Sequence, residues 1–293
     1  MPMPADEPGR NAPQGGSALS AASKLPGLSG AERKAVEEQS RPNAALIHET
    51  IRAEGESELE RTAHALIFSG VAAGLSMGFS LVAQGVLQSR LPDAPWRDLV
   101  SNLGYTVGFL IVVLGRQQLF TENTLTQILP LLHNRDLHTL WRVLRLWRLV
   151  LAANIAATWV FAAVAAHTQV FDAEAKAAFA EISRHAIAGP FSTTFLKAVF
   201  AGWLIALMVW LLPAAEGARP LVIIIVTYVV ALPHLAHVVA GSVDAFYLVA
   251  IGEAGYGDYL TRFFVPTLLG NVVGGVALVA VLNYGQVAPE IEA

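Results

Sequence analysis

Six stretches of mostly apolar residues run through the chain: Ala63–Leu87, Leu99–Leu119, Leu140–Ala166, Phe191–Leu212, Leu221–Ile251 and Leu260–Tyr284. About 20 such residues cross the hydrocarbon core of a bilayer as a helix. No water is available there for backbone N–H and C=O groups, so segments of this kind must satisfy them internally. The expected fold class is an all-α membrane protein with six transmembrane helices. Composition agrees, since only 14% of the 293 residues are charged, against about a quarter in soluble domains. The absence of cysteine removes disulfides, thiolate metal sites and cysteine nucleophiles.

Three regions follow in order. Residues 1–42 are rich in Pro, Gly, Ala and Ser and bury too little apolar surface to offset ordering, which predicts a disordered cytoplasmic tail. The tail lacks a basic start followed by an apolar core, so it is not read as a signal peptide. Residues 43–62, beginning NAALIHETIRAEGESELER, predict a charged amphipathic pre-membrane helix. Residues 63–286 form the six-span domain.

Two spans are interrupted. The second runs into RQQLFTENT at 116–124, and the fifth contains LPHLAHVVAGS at 232–242. Counted as three plus three, these are the middle spans of two halves. Paired interruptions at corresponding positions point to a transport site, because irregular backbone at membrane depth survives only when protein buries it or it lines a cavity. Orientation follows from the basic residues near span ends. Arg135, Arg142, Arg145 and Arg148 place the connection after the second span in the cytoplasm, and the mixed, acid-leaning loop 170–185 outside. Both termini are then cytoplasmic.

Four segments in order carry a resemblance: LFTENT from Leu119, KAVFAGWLIALMVWL from Lys197, HVVAGSVDAFYLV from His237 and VPTLLGNVVGGVALVAVLNY from Val265. Over roughly residues 60–286 the chain resembles the formate/nitrite transporter family, as a divergent inner-membrane branch marked by RQQLFTENT. The resemblance implies an aquaporin-like protomer of two inverted three-helix repeats, with helices 2 and 5 broken and a pore of its own. It implies a homopentamer in the bacterial inner membrane, and a channel or transporter for small monovalent weak-acid anions such as formate or nitrite. Leu119, Phe120 and Thr121 would lie on the first broken loop, with Thr121 facing the pore. His237 would be the central histidine opposite, and Phe109, Ile205 and Val230 would fall at apolar constrictions. The chain departs from the family pattern at Gly202 and Gly241, where asparagine is usual, at Ala236, where glutamate is common, and near Ala186, where a lysine is expected. Arg184 and His185 lie close to that last position.

Several residues carry two readings. Thr121 faces the pore or caps the helix that follows. An intramembrane histidine such as His237 marks function by default, and its ability to hold or give a proton near neutrality suits proton coupling. His234 shares that face if the segment is helical, or packs after Pro233. Arg116 and Glu122 flank the first break as an ion pair or as an anion attractor; the pair is favoured because buried charges are usually paired. Gly270, Gly274 and Gly275 read as close helix contacts, with Asn271 bonding between helices. No cofactor, metal or nucleic-acid partner is expected; the partners are the lipid bilayer and small anions. Two other classes stand beside transport: a non-transporting sensor or scaffold on the same fold, and an intramembrane metal-dependent hydrolase built on His234, His237 and Glu253. The last lacks an H-E-x-x-H motif.

Overall fold

A computed structural model describes Ser29 and residues 42–291. The expected tail at 1–42 therefore lies almost wholly outside the described residues. Helix α1 (Ala44–Leu59) starts at Asn43, whose side chain accepts the Leu46 N–H at 2.8 Å. Its buried residues His48, Ile51, Gly55 and Leu59 recur at helical spacing along one stripe. Helix α2 (Ala63–Arg90) follows at once, capped by Thr62. Helix α3 (Arg97–Leu114) narrows to a tight turn at Asn102–Tyr105. Two short helices come next, α4 (Asn123–Thr126) and α5 (Ile128–Asn134). Asp136 then caps the long α6 (Leu137–His167), and Asp172 caps α7 (Ala173–Ile187). Helices α8 (Phe191–Leu211), α9 (Arg219–Ala231), α10 (Ala240–Ala250) and α11 (Tyr256–Ala288) complete the chain.

Among the described residues, five helices are long and apolar enough to cross a membrane: α2, α3, α6, α8 and α11. The fifth stretch, Leu221–Ile251, which the sequence marks as interrupted, comprises the two shorter helices α9 and α10 with irregular backbone between them. The second stretch, expected to reach Leu119, leaves the helix after Leu114.

The bundle closes by small-residue contacts of the kind expected where lipid supplies no hydrophobic drive between helices. Helix α2 meets α6 so closely that a Cβ on Gly74 would lie 2.4 Å from the Asn154 carbonyl oxygen. Helix α8 meets α11 in the same way, and a Cβ on Gly274 would lie 2.2 Å from the Val199 carbonyl oxygen. Helix α10 is buried over most of its length and packs against α6, α7 and α2. The outward faces carry exposed Phe68, Trp141, Leu196, Leu221 and Leu269, a surface fit for hydrocarbon rather than water.

Candidate functional site

The ends of α3 and α9 are built alike. After α3, Arg116 turns left-handed at φ 51°, Gln117 N–H donates to Val112 O at 3.0 Å and Arg116 N–H to Val113 O at 3.2 Å. After α9, His234 turns left-handed at φ 50°, Leu235 N–H donates to Val230 O at 3.0 Å and His234 N–H to Ala231 O at 2.9 Å. Both are left-handed reversals just past a helix C-terminus, two residues after Leu114 and three after Ala231. Glycine is the usual occupant of a left-handed turn, but an arginine and a histidine hold it here, so the sequence does not announce these two reversals by a glycine at the turning residue.

Each irregular stretch is then held by one buried asparagine from a long helix. Asn154 of α6 accepts from Phe120 N–H at 3.0 Å and donates to the carbonyls of Gln118 and Gly70 at 2.9 and 2.8 Å. Asn271 of α11 accepts from Val238 N–H at 2.8 Å and donates to the carbonyls of Ala236 and Ala198 at 2.9 and 2.8 Å. The two cradles match bond for bond, with Leu119 in one at the place of His237 in the other. Unpaired backbone polar groups are costly in a dry interior, and an asparagine offers a donor and an acceptor from one short side chain. Asn271 is legible in the sequence as an interhelical bond; the signal for Asn154 is a lone asparagine in the apolar run LAANIAATW.

Thr121 and His237 meet between the breaks. The Thr121 Oγ1 and His237 Nε2 atoms are 2.7 Å apart. The other ring nitrogen, Nδ1, accepts the Ala240 N–H at 3.0 Å, so the neutral ring carries its proton on Nε2 and donates it to Thr121. Thr121 O in turn accepts from the Thr124 hydroxyl at 2.7 Å. Phe109 sets its ring edge-on to His237, with centroids 5.0 Å apart. Phe109, Leu119, Ile205 and Val230 belong to one buried apolar cluster. Phe120 belongs to it too, but packs edge-on against Trp147 of α6 at 5.6 Å, and the Trp147 indole is fixed by a bond to Asn123 O at 3.0 Å.

Two cavities flank this centre and share no lining residue. One, of about 480 Å³, lies beneath α1 and is lined by Glu54, Glu58, Gln118 and Glu122 among others. The other, of about 210 Å³, lies beside α7 and reaches His237, with His185, Lys197, His234 and Asp244 in its wall.

The expected Arg116–Glu122 pair is not formed. The left-handed turn carries Arg116 outward, where its guanidinium binds Glu54 of α1. Glu122 stays beneath, with Oε1 buried and without a hydrogen-bond partner among the described residues. A second carboxylate of α1, Glu58, accepts from the Gln118 amide. His234 does not continue the His237 helix face; its ring stacks on His185 at 4.0 Å and 7°. Of the two residues near the expected lysine, Arg184 is bound twice to Glu253 at 2.8 Å, and that pairing holds the Glu253 carboxyl below its ordinary range. With Glu253 so engaged and the rings of His234 and His237 in separate contacts, the three residues of the hydrolase reading do not converge. The glycines at 202 and 241 have a steric reason: a Cβ would lie 2.4 Å from Asn271 O at the first and 2.6 Å from the Phe263 ring at the second. Lys197, for which local sequence offers no partner, lines the α7-side cavity.

The profile of the formate/nitrite transporter family matches residues 45–285. The chain is 43% identical over 253 residues to the inner membrane protein YfdC of Escherichia coli (strain K12), covering 86% of this chain and 82% of that protein. It is 29% identical over 248 residues to the formate channel BtFdhC of Bacillus thuringiensis, covering 80% of this chain and 91% of that protein. A solved pentameric formate channel with formate bound superposes with a TM-score of 0.66 at 18% identity, over 77% of this chain and 98% of that one. A likeness at that identity speaks for the fold. The matched profile spans both breaks, both asparagine cradles and the Thr121–His237 contact, and the chain belongs to the formate/nitrite transporter family, a family of membrane transport proteins and not of enzymes.

Proposed function

We propose that the chain forms a pore for small monovalent weak-acid anions of the formate and nitrite type, one pore per subunit of a homopentamer. The reading is supported by the relatives named as formate channels and by the matched construction of the two breaks. That match also favours six spans in two inverted three-helix repeats, aquaporin-like, with the second and fifth spans broken. The path runs from the α1-side cavity, past the apolar ring of Phe109, Leu119, Phe120, Ile205 and Val230, to Thr121 and His237, and out through the α7-side cavity. The arginines after the second span put α1 and both termini on the cytoplasmic side.

The observation that carries the proposal is the 2.7 Å contact between Thr121 and His237. It joins the two breaks where the α7-side cavity ends at His237, and the α1-side cavity ends at Gln118 and Glu122, to either side of Thr121 in the chain. An anion there has lost its water, and a charge at bilayer depth is expensive. A narrow apolar ring rejects hydrated ions, so the solute must be neutralised or met by positive charge. The α10 N-terminus at Ala240 contributes partial positive charge, and the His237 Nε2–H, set in place by Thr121, offers the solute a hydrogen bond. The test is uptake of a panel of weak acids into liposomes from pH 5 to 8. His237→Phe keeps aromatic volume and removes the proton; we expect it to abolish flux while the assembly elutes unchanged. Wild-type flux with an unchanged pH profile in His237→Phe would overturn the mechanism. Wild-type protein that moves no member of the panel would point to the sensor or scaffold reading.

A further inference from the structure

The α7-side cavity holds a carboxyl that the pore reading leaves unused. Asp244 lies on α10, three residues after Gly241 and on the same helix face; both line the cavity, as does His237 from the irregular stretch before α10. Among the described residues Asp244 makes no hydrogen bond and no ion pair. The same holds for Lys197, which reaches the cavity from α8. The remaining basic groups in the wall are three histidines held by contacts of their own. His185 and His234 stack face to face at 4.0 Å, where two cations would repel, and His237 accepts a backbone hydrogen bond on Nδ1.

Three ionisable side chains on elements packed against α10 are engaged elsewhere. From α7, Lys176 donates to the carbonyls of Ala166 and Thr168, and Arg184 binds Glu253. From α11, Tyr259 bonds to the Ser242 hydroxyl. Helix α3 adds the phenol of Tyr105, α2 adds Gln84, whose amide bonds to Asn102, and α6 contributes nothing to the lining. The cavity thus contains one ammonium and one carboxyl that do not touch, in about 210 Å³. With both ionised, its formal charge is zero.

We infer that Asp244 is a specificity-determining residue of this pore: its carboxyl lets the cavity accept a weak-acid anion only together with one proton. The inference rests on the anion-pore reading above. An anion arriving at the Lys197 side adds one negative charge to a confined, poorly solvated space, which is opposed. One proton from solution, taken by the Asp244 carboxylate, restores the balance. As the anion moves toward His237, the Asp244 carboxyl returns that proton to it. The carboxylate is regenerated, and the neutral acid crosses the apolar ring at Phe109 and Leu119. Without Asp244 the cavity would be a plain cation site, binding the anion tightly and holding it.

The experiment uses full-length protein in detergent with formate as the probe. It counts protons taken up per formate bound at pH 8 in weak buffer, and follows affinity between pH 7 and 8. The wild type is expected to take up about one proton per formate and to lose about tenfold in affinity over that unit, as linkage to one proton requires. Asp244→Asn is expected to take up none, to bind formate about tenfold tighter at pH 8, and to vary less than about twofold over the same unit. Asp244→Glu should keep the proton, which guards against a loss caused by misfolding. Lys197→Gln should weaken binding about fivefold and keep the proton. Proton uptake that persists in Asp244→Asn, or that is lost in Asp244→Glu, overturns the inference. Formate binding without proton uptake in the wild type overturns it and leaves the pore reading standing. A wild type that binds neither formate nor nitrite overturns both.

Discussion

A side-chain amide can make up to four hydrogen bonds, and Asn154 and Asn271 each make three, two to a helix break and one to a neighbouring helix. Asn154→Ala would orphan Phe120 N–H and the carbonyls of Gln118 and Gly70. Each buried group left unpaired costs about 1–3 kcal/mol, so we expect a large fall in the unfolding temperature in detergent, matched by Asn271→Ala. An unchanged transition in either variant would refute the cradle. Thr121→Val keeps the shape and removes the hydroxyl that the His237 ring donates to. The ring would keep its bond from Ala240 N–H and lose only its partner on Nε2. Liposome uptake should therefore fall in Thr121→Val, but less than in His237→Phe; an equal or larger loss would give Thr121 a direct contact with the solute.

At the scale of elements, α1 does more than lead into the membrane. It lies over the larger cavity with Glu54 on Arg116 and Glu58 on Gln118. Gly55 allows this, because a Cβ there would lie 2.1 Å from the Thr126 carbonyl oxygen. Gly55→Ala should lift α1, read as faster amide exchange across residues 44–59; unaltered exchange would show that the backbone gives instead. His48 reports on the same contact. Its ring is buried against Tyr284 at 5.7 Å and Trp210 at 6.4 Å, and burial holds its pKa below the ordinary value, against a smaller opposing effect of the Glu49 contact. The docked helix thus binds fewer protons than the free one just below the ordinary histidine value. Docking is complete above about pH 6.5 and weakens as pH falls below it. Burial opposes the Glu49 carboxylate, but Arg52 and His48 hold its pKa low, so its contribution fades only at still lower pH. Protection of residues 44–59, measured as exchange relative to the intrinsic rate at each pH, should fall between pH 7 and 5, and His48→Phe should remove most of that fall; a pH response identical in both proteins would reject His48 as its origin.

At the scale of the molecule, small residues decide how the helices close. Gly70 and Gly74 seat α2 on α6, and Gly270 and Gly274 seat α8 against α11. The outward surface holds apolar side chains such as Phe68, Trp141 and Leu196, which lipid or a neighbouring subunit can cover equally well. For the proposed homopentamer, native mass spectrometry in mild detergent should find five chains, and monomers alone would refute it. Gly274→Val would drive a branched side chain into the α8 backbone near Val199 and Trp203, and should reduce the yield of assembled protein before any effect on the pore is read.

The sequence alone determined the apolar stretches, the places where two of them fail and the motifs that mark the family, because the bilayer imposes length and composition on every spanning segment. It also brought Thr121 and His237 into one hypothesis. What it could not supply was partnership across long separations. Arg116 and Glu122 are six residues apart in the chain, yet a left-handed turn sends the arginine to Glu54, 62 positions away. Asn154 sits in the middle of an apolar helix with nothing nearby in sequence to bond, and its three partners come from two other segments. Lys197 and Asp244 lie on different helices and share a cavity only after α8 and α10 have packed. Local pattern fixes which residues are helical and buried. The partner of a buried charge or amide is fixed by which helices pack together, and that was decided by the glycine contacts and by the two backbone reversals at Arg116 and His234.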